Sequence, residues 1–91
     1  MTEWKIQNKI IKYLEWLEHL PIKLIKTNKN WIPDLLILLG DNKHLWIEVK
    51  TETWHLSKLQ EFMIKKIEQK WDKVIVPYWY DDFLEQIKKA L

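Results

Sequence analysis

Cysteine is absent from the 91 residues, which excludes disulfides and thiolate metal sites. Nothing approaches the run of about 18 apolar residues that marks a membrane-spanning helix. The N-terminal residues Met1-Thr2-Glu3-Trp4-Lys5 open a charged, amphipathic pattern, so a signal peptide is not expected either. The expected setting is the cytoplasm, that of a host cell if the source is viral, with no membrane partner. Charge of one sign is also scarce: 15 Lys+Arg against 13 Asp+Glu leave a formal net charge of +2. A dedicated nucleic-acid-binding module carries a denser basic face, so this balance permits such a partner without pointing to one. Glycine occurs once, at Gly40, whereas tryptophan occurs seven times.

What is present has a globular pattern. Apolar residues make up 47% and are spread along the whole chain, which argues against disorder. One domain over residues 1–91 is expected, near the lower limit for burying a useful core alone. Ile6, Ile10, Tyr13, Leu14, Leu17 and Leu20 recur at helical spacing, predicting a helix over residues 2–20 that Pro21 ends. Residues 22–25 predict a short strand, and Thr27-Asn28-Lys29-Asn30 a polar loop. The apolar run over residues 34–39, opened by Pro33 and closed by Gly40-Asp41-Asn42, predicts a strand covered on both faces. Residues 45–50 predict its antiparallel neighbour. Ser57-Lys58-Leu59-Gln60 is a capping-box sequence, opening a helix with Leu59, Phe62, Met63 and Ile67 on its stripe. Residues 74–76 predict a last strand, and Phe83, Leu84, Ile87 and Leu91 a terminal helix starting at Asp82. The fold class is therefore α/β, a mixed β-sheet flanked by helices in the order αβββαβα.

Residues two apart on a strand share a face, so Glu48 and Lys50 point one way and Ile47 and Val49 the other. A hairpin closed across residues 40–44 brings Asp34, at the start of the preceding strand, close to both. Two carboxylates supply the hard oxygen donors that Mg²⁺ or Mn²⁺ prefers. A neighbouring ammonium can orient a water or stabilise charge on phosphate oxygens, so the set suits phosphodiester hydrolysis. The expected ion lies between Asp34 and Glu48, with a backbone carbonyl near Val49 as a further ligand. Glu3 adds a carboxylate on the apolar stripe of the first helix, costly if it faces inward unpaired but favoured by the helix dipole.

Each piece alone has a plainer reading. Asp34 reads as a turn acid, Glu48 and Lys50 as a solvent-facing ion pair, and Gln60 as the far half of the capping box, alone or alongside site duty. His19, His44 and His55 lack metal-ligand spacing. Core packing is expected for Trp46 and some of the other tryptophans, while exposed ones suit base stacking.

Taken in order, Ile32-Pro33-Asp34, then Ile47-Glu48-Val49-Lys50-Thr51, then Leu56-Ser57-Lys58-Leu59-Gln60 resemble the virus-type replication-repair nuclease (VRR-NUC) branch of the PD-(D/E)XK superfamily. The resemblance covers nearly the whole chain, from the helix opening at Glu3 to the last strand. It implies a restriction-endonuclease-like core and a Mg²⁺- or Mn²⁺-dependent deoxyribonuclease. It further implies that Asp34 and Glu48 bind the metal, that Lys50 assists catalysis, and that Glu3 and Gln60 complete the catalytic set. Lys26, Lys29 and Lys58 are the expected contacts to the DNA backbone, although a solvated loop explains Lys23, Lys26 and Lys29 equally well. Stand-alone members of this size are typical of phages and resemble homodimeric Holliday-junction resolvases, which implies a homodimer acting on branched DNA. The chain departs from the family pattern at three glycine positions, where Trp31, Trp54 and a residue near Trp71 stand instead. Tryptophan there either distorts the flanking loops or fills them. The alternatives to an enzyme are a catalytically impaired DNA-binding module on the same fold, and a structural protein that keeps only the scaffold.

Overall fold

The computed structural model describes residues 2–50 and 55–91. Its elements are helix α1 (Glu3–Trp16), strands β1 (Leu20–Lys23), β2 (Leu35–Gly40) and β3 (Lys43–Ile47), helix α2 (Lys58–Gln69), strand β4 (Lys73–Ile75) and helix α3 (Tyr80–Ala90). This is the expected order αβββαβα. The strands lie side by side as β1-β2-β3-β4, the first two pairings antiparallel and β3–β4 parallel. A parallel neighbour cannot be reached by a tight turn, which is why α2 stands between β3 and β4. No helix among the described residues is long and apolar enough to cross a membrane.

Helix α1 is shorter than its apolar periodicity predicts. The Thr2 hydroxyl caps its start by accepting the Lys5 N–H at 3.3 Å. At the other end Glu18 turns left-handed, at φ 66°. Its N–H donates to the Glu15 carbonyl and the His19 N–H reaches back to Leu14, both at 2.9 Å. That double closure satisfies the last carbonyls of the helix and reverses the chain before Pro21 is reached. Leu20 and Pro21 therefore belong to β1, opposite Leu38 and Ile37. Proline is tolerated because β1 is an edge strand. The first strand thus begins two residues earlier than predicted.

The core forms on one face of the sheet. Ile6, Ile10 and Leu14 of α1 meet Leu35 and Ile37 of β2, Leu45 and Ile47 of β3, Val49 just beyond, and Phe83 and Ile87 of α3. Cover on the other face is thinner than the apolar run of β2 predicts. Leu36 and Leu38 are half-buried, and α2 buries only Ile67 while Leu59 and Phe62 stay exposed. The β2–β3 hairpin turns on Asp41 and Asn42, at φ 53° and 61°. Two successive positive φ angles match the twist of the flanking strands. Gly40 precedes them at φ 90°, a conformation that strains any residue with a Cβ.

The tryptophans at glycine positions separate here. Among the described residues, left-handed backbone occurs at Glu18, Gly40, Asp41, Asn42 and Trp71. Trp31 is not among them, and Trp54 lies outside the described residues. Trp71 follows the last turn of α2 at φ 70°, its N–H donating to the Glu68 carbonyl at 3.0 Å. Its side chain is 95% exposed, so it gains little from burial. A left-handed residue with a Cβ costs roughly 1–2 kcal/mol, and glycine's extra freedom in the unfolded chain returns part of that. Trp71→Gly is therefore expected to raise stability by about 1 kcal/mol or less, read as a higher melting temperature. A fall in melting temperature would mean that the ring makes contacts its exposure does not suggest.

Candidate active site

The backbone brings Asp34, Glu48 and Lys50 to one end of the sheet. The β2–β3 register sets Leu35 opposite Ile47, so Asp34 and Glu48 come next in line. Buried Pro33 leads into Asp34, whose carbonyl accepts the Leu24 N–H at 2.9 Å. Past β3 the chain keeps its ladder with the end of β4 and the segment after it. Glu48 N–H donates to the Ile75 carbonyl at 3.0 Å and Lys50 N–H to the Pro77 carbonyl at 2.9 Å. Ile47 and Val49 are fully buried on the core face, as alternation requires, and Glu48 and Lys50 share the other.

The two acids are interlocked through the backbone. The Asp34 N–H donates to Glu48 Oε1 at 3.2 Å, and the Val49 N–H donates to Asp34 Oδ2 at 2.9 Å. Lys50 Nζ stands 3.9 Å from Glu48 Oε2. This is not the solvent-facing ion pair that the sequence alone allows: Glu48 is 5% exposed, and the Lys50 side chain 14%. Burial pushes the Glu48 carboxyl up to about 8, and the neighbouring Asp34 charge adds to the effect. Burial raises Asp34 as well, against the opposing pull of the Val49 N–H and the Lys50 charge. Two carboxylates that resist ionising together are a donor set short of positive charge. Hard oxygen donors in that state fit a divalent cation such as Mg²⁺ or Mn²⁺. Among the described residues no group of three or more His, Cys, Asp or Glu side chains converges, so the set is this pair.

The remaining expected residues are placed less centrally. Glu3 is exposed in the first turn of α1, not turned inward, because that turn lies at the helix end, ahead of the first buried position at Ile6. Its charge still acts on Glu48, raising that carboxyl's affinity for a proton. Gln60 completes the capping box: its N–H donates to Ser57 Oγ at 3.1 Å and its Oε1 accepts the Ser57 N–H at 2.8 Å. No hydrogen bond joins it to Asp34, Glu48 or Lys50 among the described residues. Lys26 and Lys29 are exposed in the loop after β1, and Lys58 is exposed at the start of α2. Trp46 is half-buried with its indole N–H on Asp72 at 2.9 Å, and His44 bonds the same carboxylate at 3.3 Å.

One residue escaped the sequence reading. Gln7 is buried in α1, and it lowers the affinity of the Asp34 carboxyl for a proton, against the larger effect of burial. The signal was available, since Gln7 lies three residues before Ile10 and seven before Leu14, on the buried stripe itself. A polar side chain on such a stripe needs a partner.

No family model and no curated protein matches the sequence. A solved structure described as a VRR_NUC domain does match in three dimensions, with a TM-score of 0.88 over 98% of this chain and 97% of that one. The two share 22% sequence identity, so the likeness establishes the fold: this chain has the VRR_NUC fold.

Proposed function

We propose that this chain is a divalent-metal-dependent DNA endonuclease, with residues 1–91 acting as one nuclease domain in the cytoplasm. The observation that carries the reading is the interlocked pair of half-buried Asp34 and buried Glu48 with Lys50 beside it, at the end of a VRR_NUC-like sheet. Asp34, Glu48 and the Val49 carbonyl are the groups that would hold Mg²⁺ or Mn²⁺. An ion bound there supplies Lewis acidity toward a phosphate oxygen and acidifies a coordinated water. The Lys50 ammonium, held largely out of solvent, orients the attacking water or stabilises charge on the phosphate oxygens. Glu3 adds negative charge at the rim, and the Gln60 side-chain N–H₂, which the capping box leaves unused, faces the substrate. Lys26, Lys29 and Lys58 contact phosphates outside the scissile one.

Branched DNA is the proposed substrate class. The test is incubation with labelled linear, flapped and four-way-junction DNA, with Mg²⁺, Mn²⁺ or a chelator. Cleavage of the branched forms, abolished by the chelator, is expected. Binding without cleavage under every metal would replace this reading with a DNA-binding module.

Removing one carboxylate should remove the ion. Asp34→Ala is expected to weaken Mn²⁺ binding by at least about tenfold in calorimetric titration, since the pair becomes a single donor. Equal affinity in wild type and variant would place the metal elsewhere.

The protein is also proposed to be a homodimer. Trp4, Trp16, Trp79, Leu59 and Phe62 are all more than two-fifths exposed, a large apolar surface for so small a chain. A twofold axis would also pair two active sites on opposed strands of a symmetric junction. Light scattering at micromolar concentration is expected to return twice the chain mass of 11.3 kDa. A monomer, with and without DNA, ends the idea.

A further inference from the structure

We infer that Asp82 and Gln86 of helix α3 are positioning residues for Lys50: they hold the segment after β4, whose Pro77 carbonyl fixes the Lys50 backbone. The inference rests on the nuclease reading above and adds to it a part that lies on a different element.

Four hydrogen bonds tie these two residues to that segment and to each other. Gln86 Oε1 accepts the Val76 N–H at 3.3 Å, and Gln86 Nε2 donates to the Val76 carbonyl at 3.2 Å. The same Nε2 donates at 2.9 Å to Asp82 Oδ2, which also accepts the Tyr78 N–H at 2.9 Å. Alternation explains the arrangement. Ile75 and Pro77 direct their carbonyls toward the chain beyond β3, so Val76 between them directs both its backbone groups the other way. On that side β4 is an edge of the sheet, and the Gln86 carboxamide, with a donor and an acceptor, takes the place of a neighbouring strand. Asp82 alone reads as an ordinary reach-back at a helix start, since it lies three residues after the Trp79 N-cap. Gln86 lies a full turn further on, where starting the helix requires nothing of it.

Glu48 and Lys50 lean on this segment at different points. The Glu48 N–H donates to Ile75, a residue of β4 that the ladder itself sets opposite Ile47. The Lys50 N–H donates to Pro77, which lies beyond the strand and, as a proline, has no N–H to return. Its two neighbours, Val76 and Tyr78, are the residues tied to α3. Releasing them lets the Pro77 carbonyl shift and the Lys50 backbone with it, while Glu48 keeps its place. The Lys50 ammonium has to stand within reach of the scissile phosphate, and a misplacement of about 1 Å can cost on the order of a hundredfold in rate. Phe83 and Ile87 anchor α3 in the core, so the clamp is mounted on a packed element.

The test has two arms, on wild type, Gln86→Leu, Asp82→Ala and the core control Ile87→Val. The first is amide hydrogen exchange in chelator, read beside thermal melting. Both clamp variants are expected to lose about tenfold or more of the protection at the Lys50 N–H, while the Glu48 N–H keeps its own. Ile87→Val is expected to melt lower and to lose protection at both amides alike. The second arm is single-turnover cleavage of labelled linear and four-way-junction DNA at saturating Mn²⁺, repeated in the Lys50→Met background. Gln86→Leu is expected to slow cleavage roughly ten- to a hundredfold with Lys50 present, and less than about threefold once Lys50 is replaced. Equal loss of protection at Glu48 and Lys50, or an equal loss of rate in both backgrounds, is the pattern of a clamp that serves folding alone, and overturns the inference. If wild type cleaves nothing with any metal, the nuclease reading falls and this inference with it. If wild type cleaves and the clamp variants cleave as fast, the inference alone falls.

Discussion

Lys50→Met is expected to slow single-turnover DNA cleavage by about two to three orders of magnitude, the usual loss when one preorganised electrostatic stabiliser is removed. Methionine keeps most of the stem and discards the charge. Were Lys50 on an open strand face, folding would hardly notice. It is mostly buried, and its ammonium stands 3.9 Å from a glutamate that is itself buried. The substitution therefore leaves two desolvated carboxylates with no positive neighbour, and their proton affinities rise further. In chelator at neutral pH the pair then sheds its excess charge by holding a proton, so the folded state survives with modest loss. With Mn²⁺ present the ion itself balances the pair. The expected signature is thus a large loss of rate in metal, DNA binding nearly retained, and a melting temperature that falls less in Mn²⁺ than in chelator. A Lys50 that serves folding alone would show full activity per folded molecule.

The meeting of Asp34, Glu48 and Lys50 at one end of the sheet was legible because two local rules combine there. Alternation assigns Ile47 and Val49 to one face and Glu48 and Lys50 to the other, and the turn at Gly40-Asp41-Asn42 fixes which residues of β2 meet them. A register irregularity between Leu38 and Gly40 does not spoil this, since the pairs from Leu38 down to Leu35 run unbroken toward Asp34. Ser57 and Gln60 were legible for the same local reason: capping chemistry is written in four consecutive residues.

What was not legible depends on cover and on backbone conformation. Period-two alternation says which face a side chain takes and nothing about what lies over that face, so Glu48 and Lys50 read as exposed when both are largely buried. The end of α1 was misplaced because Glu18 adopts the left-handed position that glycine normally marks. With the usual signal missing, Pro21 looked like the stop. Gln7 was missed for a related reason. Periodicity sorts residues by apolarity, and a lone glutamine within an apolar stripe is noise to that test.

The pH dependence of stability should expose the acid pair directly. Glu48 has an ordinary value of 4.5 and is raised to about 8 in the folded protein. A carboxyl raised by folding binds its proton more tightly in the native state, so stability falls as pH rises between those two values and levels off beyond the upper one. Each pH unit crossed in that window costs about 1.4 kcal/mol at most for a single group. Asp34 is raised in the same sense and deepens the slope. In chelator, wild type is therefore expected to melt higher at pH 5.5 than at pH 8, opposite to a protein whose carboxylates are held ionised by salt bridges. Glu48→Gln carries no titrating group at that position and should flatten the slope, melting above wild type at pH 8 and close to it at pH 5. Mn²⁺ takes the place of the proton, so its stabilisation of wild type should be larger at pH 8 than at pH 5.5 and nearly absent in Glu48→Gln. A wild-type melting temperature that climbs from pH 5.5 to pH 8 in chelator would show that the pair is ionised without a metal, and would remove the electrostatic reason for placing one there.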